Sequence, residues 1–429
     1  MKELSQLHQL FLESTGICAD TRKLKKGNLY LALKGDNFNG NNFAAKALEL
    51  GANYSIVDDE PEEQNKHIIK VEDGLDTLQK LAAYHRKYLN LPILSITGSN
   101  GKTTTKELIR EVLSKKYKTV STKGNLNNHI GVPLTLLSMN KETEFGIVEM
   151  GANHQGEITS LCKIAQPDYG YITNFGKAHL EGFGGVEGVI KGKSELYNYL
   201  IKNNKTIFIN YDDEIQVEKS EGTDIISFSE GKNATHQITF LKADPFVKIN
   251  TEDTLINSQL IGTYNAKNIA AAICIGKYFK IPAKAIKEAI ESYQPTNNRS
   301  QIINQNSNQI ILDAYNANPT SMKAALENLE AIPAKNKIAI LGDMFEVGDT
   351  SAEEHQTIID LLEKLEFSNM MVCGKNFYQT LTQEVLKFEN FEDLKNYIQE
   401  NNFKKATILI KGSRGGGSHT RRLQPRNPR

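Results

Sequence analysis

At roughly 100–200 residues per domain, a chain of 429 residues makes two to four domains, each able to bury a core without disulfide staples. Its 24% charged and 39% apolar residues exclude a disordered or fibrous chain, and 51 basic against 51 acidic side chains argue against a general nucleic-acid binder. Cys18, Cys162, Cys274 and Cys373 are too scattered for a disulfide framework or metal knuckle, no apolar run reaches membrane-spanning length, and Met1 to Gly16 lacks a signal-peptide pattern, so the expected setting is the cytoplasm, without membrane insertion.

The first unit, expected at 1–88, reads as small α/β. Asn28 to Leu33 is a strand, Gly35 to Asn42 a loop rich in Gly and Asn, Phe43 to Leu50 a helix and Tyr54 to Val57 a strand. Leu75 to Tyr88 has the apolar spacing of a longer helix. From 89 to 297, strand, loop and helix alternate. Ile93 to Ile96, Phe145 to Val148, Tyr169 to Ile172, Thr206 to Ile209 and Asp224 to Ser227 are strands, with helices at Thr104 to Leu113, Ala266 to Lys277 and Pro282 to Ser292. Apolar strands between helices indicate a mostly parallel sheet covered on both faces. The third unit, 298–415, repeats the pattern with four strands at 310–312, 338–341, 370–372 and 407–410. The segment 416–429 has arginines, prolines and no apolar period, and is expected to be an unstructured or artefactual tail.

Thr97-Gly98-Ser99-Asn100-Gly101-Lys102-Thr103-Thr104 follows a strand and opens a helix, the context of a triphosphate-binding loop. The first glycine of the strict motif is absent, since Ile96 stands there, so the loop is a shortened variant. Glycines let backbone N–H groups reach phosphate oxygens, Lys102 would neutralise the β- and γ-phosphates, and the Thr103 hydroxyl would face Mg²⁺. Glu149 ends the strand after it and can hold Mg²⁺; taken alone it could equally be a surface carboxylate. His179 follows a third strand end. Beyond it, Val186, Val189, Ile190, Leu196, Tyr197 and Leu200 share a helix face with Lys193, and an inward lysine must be paired, modified or snorkelled.

The segments around Ile96–Lys106, Asn125–Pro133, Val148–Gly151, Thr173–Gly182, Lys193–Tyr197 and Gly262–Asn268 resemble the Mur ligases of peptidoglycan synthesis. Asp313-Ala314-Tyr315-Asn316-Ala317-Asn318-Pro319 and Leu341-Gly342-Asp343-Met344 point within that family to the member that adds D-alanyl-D-alanine. The resemblance implies a monomeric, cytoplasmic enzyme with a UDP-binding domain, a central ATPase and a Rossmann-like C-terminal domain. It also implies a reaction in which the carboxylate of UDP-N-acetylmuramoyl-tripeptide is activated by ATP as an acyl phosphate and captured by the amine of D-alanyl-D-alanine. Thr21, Arg22 and Asn39 then match the UDP side, and Asn127 and Asn128 the muramoyl-peptide side. Gly98, Asn100, Gly101, Lys102, Thr103, Thr104, Asn268, Arg299 and Asp313 match the nucleotide site. Thr103, Glu149, His179 and a carbamylated Lys193 match the ligands of two Mg²⁺ ions, with Lys102, His179 and Lys193 serving catalysis. Asn316, Asn318 and Ser413 match the amino-substrate side. Four positions depart from the pattern: Tyr264 for His, Asn298 for Gly, Ala314 for Ser and His129 for an acidic residue. A folate polyglutamate synthase would share the short phosphate loop, but the Asp20-Thr21-Arg22 unit argues against it. Intact Lys102, Glu149, His179 and Lys193 argue against a non-catalytic nucleotide binder.

Overall fold

The computed structural model describes residues 3–61, 65–231, 233–252, 254–296 and 298–413. The expected tail, 416–429, lies outside the described residues. Three sheets follow one another along the chain.

The first has four parallel strands in the order Ile17–Cys18, Leu29–Leu31, Tyr54–Val57, Ile68–Lys70. The segment expected to be a loop is ordered instead. Lys34–Gly35 pairs antiparallel with Phe38–Asn39, and a tight turn covers Gly40–Phe43. The Asn39 side chain accepts the Asn41 N–H, and the Asn41 amide donates to Asp58, so asparagines that read as loop formers build local turns. The helix Gly74–Leu89 begins at Asp73, which caps the Asp76 N–H. Its buried stripe of Leu78, Leu81 and Ala82 joins a single apolar core that runs from Leu29 and Ile56 into Val132 and Val148. Arg86, on the same helix, donates to the carbonyls of Ala165 and Gln166 and to the Asp168 carboxylate.

The central sheet has nine strands in the order Thr254–Ile261, Phe246–Thr251, His236–Ala243, Ile225–Ser229, Thr206–Asn210, Tyr169–Ile172, Ile93–Thr97, Phe145–Glu149, Thr119–Ser121. Pairing is parallel from Thr119–Ser121 through His236–Ala243 and antiparallel beyond. Every residue of Ile93–Thr97 is buried, as befits a strand covered on both faces. It lies between Phe145–Glu149 and Tyr169–Ile172, so three adjacent strands deliver the phosphate loop, Glu149 and the 173–179 segment to one edge.

The third sheet has six strands, not four, in the order Gln301–Gln305, Asn308–Asp313, Thr407–Lys411, Lys337–Gly342, Asn369–Cys373, Leu386–Phe388. The first pairs antiparallel with its neighbour and the rest are parallel, which gives the Rossmann-like layer. Asn298, at the joint between second and third units, has φ +57°. Glycine takes that left-handed conformation freely and asparagine tolerates it best among other residues, which accounts for the departure there. Among the described residues, no helix is long and apolar enough to cross a membrane.

Candidate active site

The phosphate loop is held open by its neighbours. Gly98 has φ +134°, and a Cβ there would lie 2.1 Å from the Thr173 hydroxyl. Thr173 and Asn174 both donate to the Asn100 carbonyl, at 2.6 and 2.9 Å, while the Asn174 side chain accepts the Asn100 N–H. Gly101 has φ +81° and precedes the helix Lys102–Leu113, whose N-terminus no side chain caps. Its free N–H groups face the cleft, an arrangement suited to an anion. The helix begins at Lys102 rather than Thr104. Lys102 is half-buried rather than freely solvent-facing, and its ammonium donates to the carbonyls of Gly98 at 2.6 Å and Ser99 at 3.0 Å. Burial pulls its pKa down to about 8, with Glu149 opposing the shift and Arg299 adding to it.

Thr103 donates its hydroxyl to Glu149 at 2.9 Å, and the Asn127 amide donates to the other carboxylate oxygen at 2.8 Å. The Asn128 side chain serves the backbone instead, accepting from Ile130 and Gly131. Asn268 accepts from Thr105 and lies against Gly101. His179 has φ +54°, and its Nδ1 lies 2.5 Å from the Glu346 carboxylate of the third unit. Among the described residues the buried Nδ1 makes no aligned hydrogen bond, to this carboxylate or to any other group.

The third unit closes the cleft from above. Arg299 lays its guanidinium on the Tyr315 ring, 3.7 Å from the centroid, and its buried Nε has no hydrogen-bond partner among the described residues. Asp313 accepts from Lys411 at 2.6 Å and from the Ser300 N–H. Asn318 caps the helix Pro319–Ala331 and donates to the Asn100 side chain at 2.7 Å. Lys177 pairs with Glu354 at 2.5 Å. Together these residues enclose a cavity of about 570 Å³, lined among others by Asn100–Thr104, Asn127, Asn128, Glu149, His179, Asn268, Arg299, Asp313, Asn316 and Asn318.

Four other expected site residues lie elsewhere. Ser413 bonds Ala317 and Phe345 and lines a second cavity in the third unit. Thr21 and Arg22 lie in the short turn Thr21–Lys23 and Asn39 in the hairpin of residues 34–39, all in the first unit and outside the main cleft. The Arg22 side chain is 87% exposed and held by Asp20 alone among the described residues.

Lys193 stands just behind the cleft. It is fully buried and does not line the cavity, but it donates to the carbonyl of Ala152, which does. Val189, Leu196, Tyr197 and Leu200 are buried around it as expected, whereas Val186, at the exposed first turn, is not. The alternative partner Glu195 is committed to the N-terminus of Glu157–Ala165, where it accepts from Gly156 and Thr159. Among the described residues no carboxylate lies in ion-pair reach of Lys193. The Phe183 ring covers its ammonium at 4.7 Å and enters because Gly192 leaves room for it, where a Cβ would lie 2.4 Å from the ring; Gly188 admits the Phe183 backbone carbonyl. Burial above all, and then the charge of Lys102, pulls the amine well below the ordinary lysine range.

Several lining residues were not picked out from the sequence. Asn174 is a lone polar residue after a strand, and Lys411 reaches Asp313 only through strand pairing. Tyr264 also lines the cleft, with its hydroxyl 2.7 Å from Ser300. His129 lines it too, and Ala314 is a buried methyl in the third unit's core.

Comparison with known proteins fits this geometry. Models of the Mur ligase family match residues 13–86 (catalytic domain), 96–276 (middle domain) and 298–414 (glutamate ligase domain). A UDP-N-acetylmuramoyl-tripeptide–D-alanyl-D-alanine ligase from Bacillus subtilis is 34% identical over 419 residues, 93% of this chain and 90% of that protein. The crystal structure of MurF from Acinetobacter baumannii superposes with a TM-score of 0.86 at 30% identity, covering 97% of each chain. MurF from Thermotoga maritima, solved with ADP, gives 0.82 at 27% identity and 96% of each. With relatives this similar from end to end, the chain belongs to the Mur ligase family.

Proposed function

We propose that this chain is the ATP-dependent ligase that joins D-alanyl-D-alanine to UDP-N-acetylmuramoyl-tripeptide in peptidoglycan precursor synthesis, acting as a cytoplasmic monomer. The observation that carries the reading is the single cleft in which the phosphate loop meets Glu149, His179 and the third unit's Arg299 and Asp313. The first unit, 1–88, takes the UDP-linked substrate; 89–297 binds ATP; 298–415 brings the amine and closes the site. The similarity covers the first unit as well, which a folate enzyme would not require.

The donor set suits Mg²⁺. Thr103 and Glu149 offer hard oxygens, and among the described residues no three acidic, His or Cys side chains cluster as a closed cage. That leaves room for water and phosphate oxygens, which Mg²⁺ keeps. Thr103 and Glu149 would hold one ion, and His179 with carbamylated Lys193 a second. Bound there, Mg²⁺ neutralises the charge that gathers on the transferring phosphoryl group. Lys102 supplies the neighbouring cation, and Arg299, whose buried Nε has no hydrogen-bond partner among the described residues, would face the nucleotide with Asp313. Asn268 packs beside the loop. The tripeptide carboxylate displaces ADP from the γ-phosphoryl group. The dipeptide amine then attacks the acyl phosphate carbonyl, loses a proton and expels phosphate. Asn127 and Asn128 line the acceptor side, with Asn316 and Asn318 on the amine side; Ser413 supports that side from behind through Ala317. Closure by the third unit keeps water from the acyl phosphate.

Phosphate release from ATP should require UDP-N-acetylmuramoyl-tripeptide and rise on adding D-alanyl-D-alanine, with a product extended by the one dipeptide seen by mass. Tripeptides ending in lysine and in diaminopimelate should be compared. Phosphate release indifferent to both substrates defeats the reading. Arg22→Ala should raise KM for the UDP-linked substrate by about tenfold while leaving KM for ATP near its parent value, because an arginine fork matches diphosphate oxygens. Equal changes in both constants would count against a separate UDP site.

A further inference from the structure

Lys106 follows Lys102 by one helical turn, yet it faces away from the cleft and is fully buried. Its ammonium donates to the Thr122 carbonyl at 2.6 Å and lies 3.0 Å from Glu107 and 3.8 Å from Glu149. Glu107 also has Arg110, at 2.8 Å. Glu149 is otherwise met only by neutral donors, Asn127 and Thr103, and among the described residues Lys106 is the cation within 4.0 Å of it. Thr122 binds the two groups together: its carbonyl takes Lys106 and its hydroxyl accepts the Glu149 N–H at 2.9 Å.

Resting on the ATP-site reading above, we propose that Lys106 is a positioning residue that serves as resident counter-ion to Glu149, balancing its buried charge between turnovers and lowering its hold on Mg²⁺ when the metal–nucleotide arrives. An uncompensated carboxylate in this position is costly. With Lys106 present, metal and ammonium share one carboxylate and repel each other, so the site is formed in advance but binds the metal less tightly. Without it, the metal-free protein loses stability and the metal gains affinity; these are two sides of one thermodynamic cycle.

The test uses the full chain, with ADP as probe, and compares melting in excess EDTA with melting in Mg²⁺. In Lys106→Met, the gain in melting temperature on adding Mg²⁺ to the ADP complex should exceed the parent's by about 5 °C. The Mg²⁺ concentration for half-maximal stabilisation should fall about tenfold. A purely structural lysine would lower both melting temperatures equally and leave the Mg²⁺ gain unchanged, which overturns the proposal. If Lys106→Met does not fold, adding Glu149→Gln should restore folding by removing the uncompensated charge; a double variant no better than the single overturns it as well. A parent protein that gains nothing from Mg²⁺ with ADP bound would instead defeat the ATP-site reading, and this inference with it.

Discussion

Lys102→Ala should cut ligation by at least about 10³-fold while leaving the fold intact, because it removes a positioned cation from a phosphoryl-transfer site. Its ammonium rests on the carbonyls of Gly98 and Ser99, contacts that alanine loses without leaving a core cavity. Far-ultraviolet circular dichroism and melting should stay near the parent values as turnover disappears. The parent should also show a pH signature. Since burial lowers this ammonium to about 8, ligand-free enzyme carries the charge below that pH and loses it above. ATP affinity should therefore weaken as pH rises through about 8, and a bound triphosphate should draw the pKa back upward. Lys102→Ala should lack that step. Near-normal turnover in the variant, measured as phosphate release, would remove the phosphate-loop assignment.

Lys193→Ala should lose most activity yet still bind ADP, since Lys102, Thr103 and Glu149 remain. A short carboxylic acid in the medium should restore part of the rate by occupying the vacated oxygen position. Bicarbonate should not, because the amine that reacts with CO₂ is gone. The structure favours this over a structural ion pair. Glu195 is engaged with Gly156 and Thr159, and burial holds the Lys193 amine towards its neutral, nucleophilic form. A crystal of the parent protein with nucleotide and both metals should show a carbamate on Nζ. An unmodified lysine in well-ordered density, or no rescue by any small acid, would defeat the assignment.

The parts of the fold most legible in the sequence are those whose burial is one-sided or complete. Ile93 to Ile96 reads as a strand, and every residue of Ile93–Thr97 is buried; Leu75 to Tyr88 reads as a helix, and its Leu78, Leu81 and Ala82 turn inward. Of the antiparallel strands from His236 to Ile261, the first escapes because its residues are mostly half-exposed. The other two alternate in burial, but polar Thr251 and Ser258 take inward positions and Phe246 and Leu255 outward ones, which hides the period in the sequence. Gly131–Leu137 escapes because Gly and Pro read as breakers, although Pro133 sits in the first turn, where its missing N–H costs nothing. At the site, the phosphate loop announces itself locally. Lys411 does not: it joins Asp313 through parallel pairing across 98 residues of chain. Nor does the buried face of Lys106, since its neighbour Thr122 lies in an unremarkable strand exit.

Phe183 belongs to two environments at once. One face of its ring covers the Lys193 ammonium, and the residue sits in the same apolar cluster as Met344 and Val347 of the third unit. The ring therefore belongs both to the burial that depresses the proton affinity of the free Lys193 amine and to the apolar packing of the third unit against the central one. A single phenyl ring thus ties the surroundings of a side chain behind the cleft to the seam between two domains.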